Sequence, residues 1–214
     1  ISSYINYNLK GPIIELGSGI GKIKEVIPSC ICTDIVSNPW IDKVEQLYQL
    51  SFSDSEVSNI IMIDVFHHLR YPGSALKELS RVLCKKGRLI IFEPYISLLG
   101  FFVYGLLHHE PISMNKNIEW MAPENFDFNN EPYYAAQGNA TRIFEKNQFK
   151  EHLKGWNKLV CKKMSYISYI ASGGYSKPQL YPTKLFPLMC IIDTFCDHLP
   201  YLFATRILVV LEKR

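Results

Sequence analysis

Residues 13–22, Ile-Ile-Glu-Leu-Gly-Ser-Gly-Ile-Gly-Lys, put glycines at alternate positions, Gly17, Gly19 and Gly21, directly after a short apolar run that carries one acid, Glu15. A glycine-rich turn lets a ligand approach the backbone closely. A dinucleotide site needs G-x-G-x-x-G with the pyrophosphate at a helix N-terminus, and here Lys22 occupies the place of the third dinucleotide glycine. Glu15 would repel a pyrophosphate but suits a cation or an amino group. Asp34 follows at the end of the next apolar run, where an acid can accept both hydroxyls of a ribose. The pattern therefore points to a nucleoside that carries a positively charged appendage.

Further along, His67 and His68 follow the strand-like run Asn-Ile-Ile-Met-Ile-Asp-Val, and Glu93 closes the run Leu-Ile-Ile-Phe-Glu. At the carboxyl edge of an open α/β sheet, where ligands bind, one of these histidines can take a proton from a substrate hydroxyl. The plainer role for either is packing or capping, and for Glu93 a cap or a salt bridge. His108, His109, Glu110 and Pro111 form a denser cluster. Histidine beside a carboxylate makes an oriented base or stabilises a loop. No further ligand stands at metal-site spacing, so no metal is expected. A nucleophilic hydrolase is disfavoured because no G-x-S-x-G elbow occurs.

These residues need a frame. Residues 11–17, 29–35, 58–65 and 87–95 read as strands, and 42–48 as a short one. Residues 19–27 read as a short helix. The clearest helix is 71–87, where Ala75, Leu76, Leu79, Val82 and Leu83 share one apolar face and Gly87 is the expected stop. Strand and helix alternate over the first hundred residues, which implies a parallel sheet with right-handed crossovers. Residues 95–150 are aromatic, polar and poorly periodic, and read as a helical and loop cap. Beyond them, 157–170 and 204–214 are strand candidates, separated by the glycine turn Ala-Ser-Gly-Gly-Tyr (171–175) and an apolar helix near 183–197. The whole chain, 1–214, reads as one domain.

In combination these features resemble the class I S-adenosylmethionine-dependent methyltransferases of the small-molecule type. Glu-Leu-Gly-Ser-Gly-Ile-Gly matches their E-x-G-x-G-x-G motif, and Cys-Thr-Asp-Ile matches the acidic end of their second strand. Residues 50–69 resemble the family's L-P-F-x-D-x-S-F-D-x-V segment with its fourth strand, with Ser51 in place of the proline. Residues 75–94 resemble its R-V-L-K-P-G-G helix and strand, with Lys85-Lys86-Gly87 in the turn. The resemblance implies a Rossmann-like, doubly wound, seven-stranded α/β sheet of order 3-2-1-4-5-7-6, with 204–212 antiparallel between the fifth strand and the 157–170 strand. It implies S-adenosylmethionine as cofactor and S-adenosylhomocysteine as product. Gly17, Ser18 and Gly19 would pass under the methionine portion, Glu15 would act near its amino group, and Asp34 would hold the ribose, with Ile35 against the adenine. Gln46 stands where many members place an aspartate for the adenine amino group, and Leu47 joins the same set. Asp64 and Val65 would line the methionine side and face the substrate. His67, His68, His109 and Glu110 are the catalytic candidates. A looser resemblance, resting on the C-terminal half, is to methyltransferases of bacterial polysaccharide and lipid-linked glycan clusters.

The expected acceptor is thus a hydroxyl of a glycan, a lipid-linked or another small hydrophobic molecule. The alternatives are a catalytically silent module on the same fold and a nicotinamide oxidoreductase. A net charge of +3, with the basic residues scattered, gives no stripe for nucleic acid. Six cysteines without a C-x-x-C pair read as free thiols of a reducing cytoplasm. The apolar run 95–107 is too short to span a bilayer, which takes about 20 residues, but it suits weak association with a membrane surface. The chain starts at Ile1, so a native N-terminal piece is expected to precede it.

Overall fold

The computed structural model describes residues 1–130, 132–146, 148–173 and 177–214. Gly174 and Tyr175 of the glycine turn lie outside these. Seven strands make one sheet: β1 (Ile13–Leu16), β2 (Cys30–Asp34), β3 (Lys43–Val44), β4 (Val57–Ile63), β5 (Leu83–Pro94), β6 (Trp156–Met164) and β7 (Arg206–Lys213). Their order is β3-β2-β1-β4-β5-β7-β6, as expected. The pairs among β1 to β5 are parallel, with Ile13 beside both Cys30 and Asn59. β7 runs antiparallel to both β5 and β6.

Side chains alternate across a strand, and the two faces of the sheet accordingly make two cores. One contains Ile14, Leu16, Ile60, Met62, Leu89 and Ile91. The other contains Ile13, Ile61, Ile90, Leu208 and Val210, with Cys30 and Cys32. Burial on both faces explains why β1 and β4 read as continuous apolar runs. The first core is closed by α1 (Pro72–Val82), which starts with proline in its first turn and buries Ala75, Leu76, Leu79 and Val82. All six cysteines are free thiols.

Four boundaries differ from the sequence reading. After the glycine loop there is a single 3-10 turn, Lys22–Glu25, instead of a helix over 19–27. The third strand is two residues long. α1 ends at Val82 and β5 begins at the next residue, so Gly87 lies within a strand. A Cβ on Gly87 would stand 2.8 Å from the Cys84 carbonyl oxygen, so close strand packing requires the glycine there. The 157–170 candidate splits into β6 and the short helix α3 (Ile167–Ala171), because the chain turns at Tyr166 with φ +50°.

The cap begins with α2 (Leu98–Phe102), whose N-terminus is capped by the Ser97 hydroxyl accepting from the Gly100 amide at 3.0 Å. α2 runs into a wider π-turn at Val103–Leu107. Between α3 and β7 lie α4 (Phe186–Cys196) and α5 (Pro200–Phe203).

Candidate active site

β1 ends at Leu16 and the chain turns under Thr33: the Ser18 amide donates to the Thr33 carbonyl at 2.9 Å, and the Ser18 hydroxyl accepts from the Thr33 amide at 3.1 Å. Ser18 therefore fastens the loop to β2. Gly17, Gly19 and Gly21 all have positive φ, at +72°, +52° and +66°. They do different jobs. A Cβ on Gly17 would lie 2.3 Å from a Val65 methyl, so this glycine lets the loop pass the end of β4. A Cβ on Gly19 would meet nothing within 4 Å, which leaves open space over the loop. The Gly19 amide donates to Asp34 Oδ2 at 2.9 Å, tying the loop to the acid that ends β2.

A cavity of about 600 Å³ opens beside this loop, lined by Gly17, Asp34, Ile35, Gln46, Leu47 and Val65 among others. Gln46 donates to the Phe128 carbonyl at 2.6 Å, and Tyr48 stacks on Phe128 with ring centroids 4.6 Å apart, so the cap closes one wall. Glu15 is buried, and its Oε2 has no hydrogen-bond partner. Burial pushes its carboxyl pKa up. An orphaned buried carboxylate oxygen calls for a cationic or hydrogen-bonding ligand. The orphaned acid, the open glycine loop and the carboxylate at the end of β2 fit a nucleoside with an ammonium group.

A second cavity, about 570 Å³, adjoins the first, and Asp64 and His68 line both. Asp64 has φ +55° and is bonded to Arg206, which lies 5.3 Å from the Phe92 ring. The rest of the wall is largely apolar, with Val103, Tyr104, Leu107, Ile170 and Leu180.

The histidines sit on the 3-10 turn Phe66–His68, which follows β4. Glu93 Oε1 accepts from the Val65 and Phe66 amides at 2.8 and 2.6 Å, so the plainer role expected of Glu93, a cap, is one it performs. Its other oxygen stands 2.6 Å from His67 Nδ1, and Glu110 Oε2 stands 3.1 Å from His67 Nε2. Burial opposes protonation of His67, but Glu93 and then Glu110 outweigh it and raise the pKa. Both ring nitrogens then donate, and His67 has no lone pair for a substrate. Glu110 is held well below the usual carboxylate range by the hydrogen bond from His67, against burial.

His68 is different. Its Nδ1 lies 2.9 Å from the Tyr134 carbonyl, an acceptor only, so that nitrogen carries the hydrogen. Nε2 lies 3.6 Å from Glu110 Oε1, beyond hydrogen-bond distance, and His68 lines both cavities. His109 is mostly exposed, at 82% of its side chain, with Nε2 3.9 Å from Glu110. Of the four catalytic candidates, then, His68 has the free nitrogen, while His67 and Glu110 form the network behind it. Tyr133, which donates to Glu110 at 2.5 Å, and Gln137, which donates to it at 2.8 Å, carried no signal in the sequence, because neither stands in a motif.

Residues 14–91 match the family model described as a methyltransferase domain. The match runs from β1 through most of β5 and includes the glycine loop. An S-adenosylmethionine-dependent methyltransferase of Archaeoglobus fulgidus shares the fold with a TM-score of 0.59 at 11% identity, over 99% of this chain and 89% of that one. A S-adenosylmethionine-dependent methyltransferase of Thermotoga maritima gives 0.54 at 14%, over 96% and 84%. The YcgJ protein of Bacillus subtilis gives 0.51 at 16%, over 96% and 92%. No curated protein matches the sequence. The domain match bears out the expected class, a methyltransferase that uses S-adenosylmethionine and releases S-adenosylhomocysteine. When bound, this cofactor supplies a methyl group already activated by the sulfonium. Gly17, Asp34, Ile35, Gln46, Leu47, Asp64 and Val65 line the first cavity and are the residues that would hold it, whereas Glu15 and Ser18 are not among that lining.

Proposed function

We propose that the protein methylates a hydroxyl of a small hydrophobic acceptor, of the glycan or lipid-linked kind. The observation that carries this reading is the junction of the two cavities at Asp64 and His68. A hydroxyl in the apolar cavity would meet His68 Nε2, which takes its proton as the oxygen attacks. Glu110, fixed by His67, Tyr133 and Gln137, would stabilise the imidazolium that results. Positioning supplies most of the remaining barrier reduction.

The outer surface supports an amphiphilic acceptor. Leu188, Ile191, Ile192 and Phe195 fall at i, i+3, i+4 and i+7 on α4, the spacing of a core-facing stripe. They point outward instead, at 51%, 66%, 37% and 72% exposure. The acids of this region turn inward: Asp193 accepts from the Ile167 amide at 2.6 Å and Asp197 from the Ser165 amide at 2.7 Å. Phe101, Phe102, Leu106 and Leu107 extend the apolar surface, and Leu107 and Leu180 reach into the cavity wall. No described helix is long and apolar enough to cross a membrane. The surface suits weak attachment to a bilayer, and the free thiols suit the cytoplasmic side.

The test is transfer of a labelled methyl group to extracted lipid-linked and soluble glycan acceptors. His68→Gln should lower turnover by about 100-fold or more while leaving S-adenosylhomocysteine affinity unchanged. A variant with full turnover would show that the base lies elsewhere. Absence of transfer to any acceptor, with cofactor binding intact, would favour the catalytically silent module.

A further inference from the structure

Glu93 and Glu110 are both buried, and the ion pairs they make among the described residues are all with histidines. Arg206 is committed to Asp64. Two buried carboxylates faced by imidazoles and hydrogen-bond donors invite a cation, because a low-dielectric site penalises net negative charge. The two imidazoles are also held alike. His67 turns Nδ1 to Glu93 and His68 turns Nδ1 to the Tyr134 carbonyl, so each sends Nε2 toward Glu110. Those Nε2 atoms lie 3.1 and 3.6 Å from the two oxygens of Glu110. One ligand atom from each of the three residues lies within 4.8 Å of the others.

Histidines that bind metals are oriented in this way, with the far ring nitrogen donating to a carboxylate or a backbone carbonyl. A tetrahedral ion about 2.1 Å from each ligand sets its ligand atoms about 3.4 Å apart, so the three ligand atoms, all within 4.8 Å of one another, need only a small approach to reach it. We propose that His67, His68 and Glu110 bind a divalent first-row metal ion at the junction of the two cavities. Two imidazoles and a carboxylate suit zinc. The ion replaces the proton on His67 Nε2, and its two charges balance Glu93 and Glu110. Tyr133 and Gln137 hold the carboxylate in place, and each carboxylate oxygen keeps capacity for a second partner.

Three protein ligands leave a fourth position open toward the acceptor cavity. The use of that position rests on the acceptor reading above, except that the ion, bound by His68 Nε2, takes over the activation of the hydroxyl that was given there to that nitrogen as a base. A hydroxyl bound there releases its proton to water more readily. Its oxygen then bonds to the methyl carbon while the carbon–sulfur bond breaks and its electron pair stays on sulfur.

The sequence did not show this site because His67 and Glu110 are 43 residues apart. The test is on the whole protein, stripped with a chelator and titrated with zinc chloride by calorimetry and with cobalt(II) by visible absorption. One equivalent of zinc is expected, with a rise in Tm and the intense visible bands of a cobalt ion of low coordination number. His68→Ala, at a half-buried position, and Glu110→Gln should each weaken zinc binding by on the order of 100-fold, and His198→Ala should not. If the wild type takes up no more zinc than the His68→Ala, Glu110→Gln double variant, the cluster is a hydrogen-bond network only and the proposal fails. No acceptor enters these measurements, so zinc binding without methyl transfer to a hydroxyl would overturn the acceptor reading alone.

Discussion

Substituting Gly17 by alanine tests whether the glycine loop is shaped by the end of β4. Two costs are visible. At φ +72° a Cβ carries the left-handed penalty, about 1–2 kcal/mol. The new methyl would also lie 2.3 Å from Val65 Cγ2, well inside contact distance, and overpacking of this kind costs about 1–3 kcal/mol. Gly17→Ala should therefore destabilise by roughly 2–5 kcal/mol in sum. Val65→Ala removes the offending methyl and leaves the Val65 Cβ at 3.5 Å, an ordinary contact. The double variant should thus recover the steric part and keep only the backbone cost, a favourable coupling of about 1–3 kcal/mol. Urea unfolding followed by circular dichroism reads the four corners of this cycle. Additive effects would refute the argument and mean that Val65 and Gly17 do not meet. S-adenosylhomocysteine titration of the same proteins is a second readout. Both residues line the cofactor cavity, so the single variant should bind more weakly than the double.

Asp34→Ala should lower S-adenosylhomocysteine affinity by about tenfold or more, the loss of one charge-assisted pair of bonds. Unchanged calorimetric binding would remove Asp34 from the ribose. In protein stripped of metal by a chelator, His67 has its pKa raised from 6.5 to about 10, so the stability it contributes is complete below about pH 6.5 and is lost as pH rises through 10. Tm should fall between pH 8 and 10.5, and fall less in Glu110→Gln; equal slopes in the two proteins would contradict the ion-pair account. Ile191→Glu with Phe195→Glu should abolish flotation with anionic vesicles while leaving Tm and S-adenosylhomocysteine binding unchanged. Flotation that survives both changes, or a dimer that only the wild type forms, would count against the bilayer.

Much of the sheet could be read from the sequence because its strands are buried on both faces and announce themselves as apolar runs of Ile, Leu and Val. The strand ends that carry the cofactor candidates were legible for the same local reason. Glu15, Gly17 and Asp34 sit at strand ends that the apolar runs define. Elements with little apolar content were misjudged. Residues 19–27 have Ile23 and Ile27 to bury, and one 3-10 turn with the chain that follows it suffices for both. α4 misleads in the opposite way. Its stripe has the spacing of a buried face, yet the helix is seated by the carboxylates of Asp193 and Asp197, so its apolar content located the helix and was silent on which side packs.

The histidine site was the least legible part, and the reason is topological. His67 and His68 belong to the sheet edge, but their partners come from the cap, where motif spacing is silent. The cap reaches them by backbone pairing. Ile112 bridges Gln137, the Ser113 amide donates to the Gln137 carbonyl at 2.9 Å, and the Gln137 amide donates to the Pro111 carbonyl at 3.1 Å. The neighbouring Ala136 amide then donates to the carbonyl of His67 itself at 2.9 Å. These bonds join segments 108–113 and 133–137 and lay them against the turn after β4. They bring Tyr133 and Gln137 to Glu110, and Glu110 to His67. The cap is therefore as much a part of the site's electrostatics as the sheet is. Loosening the Ile112–Gln137 pairing should free Glu110 from His67 and also shift Tyr133 and Tyr134, which line the first cavity.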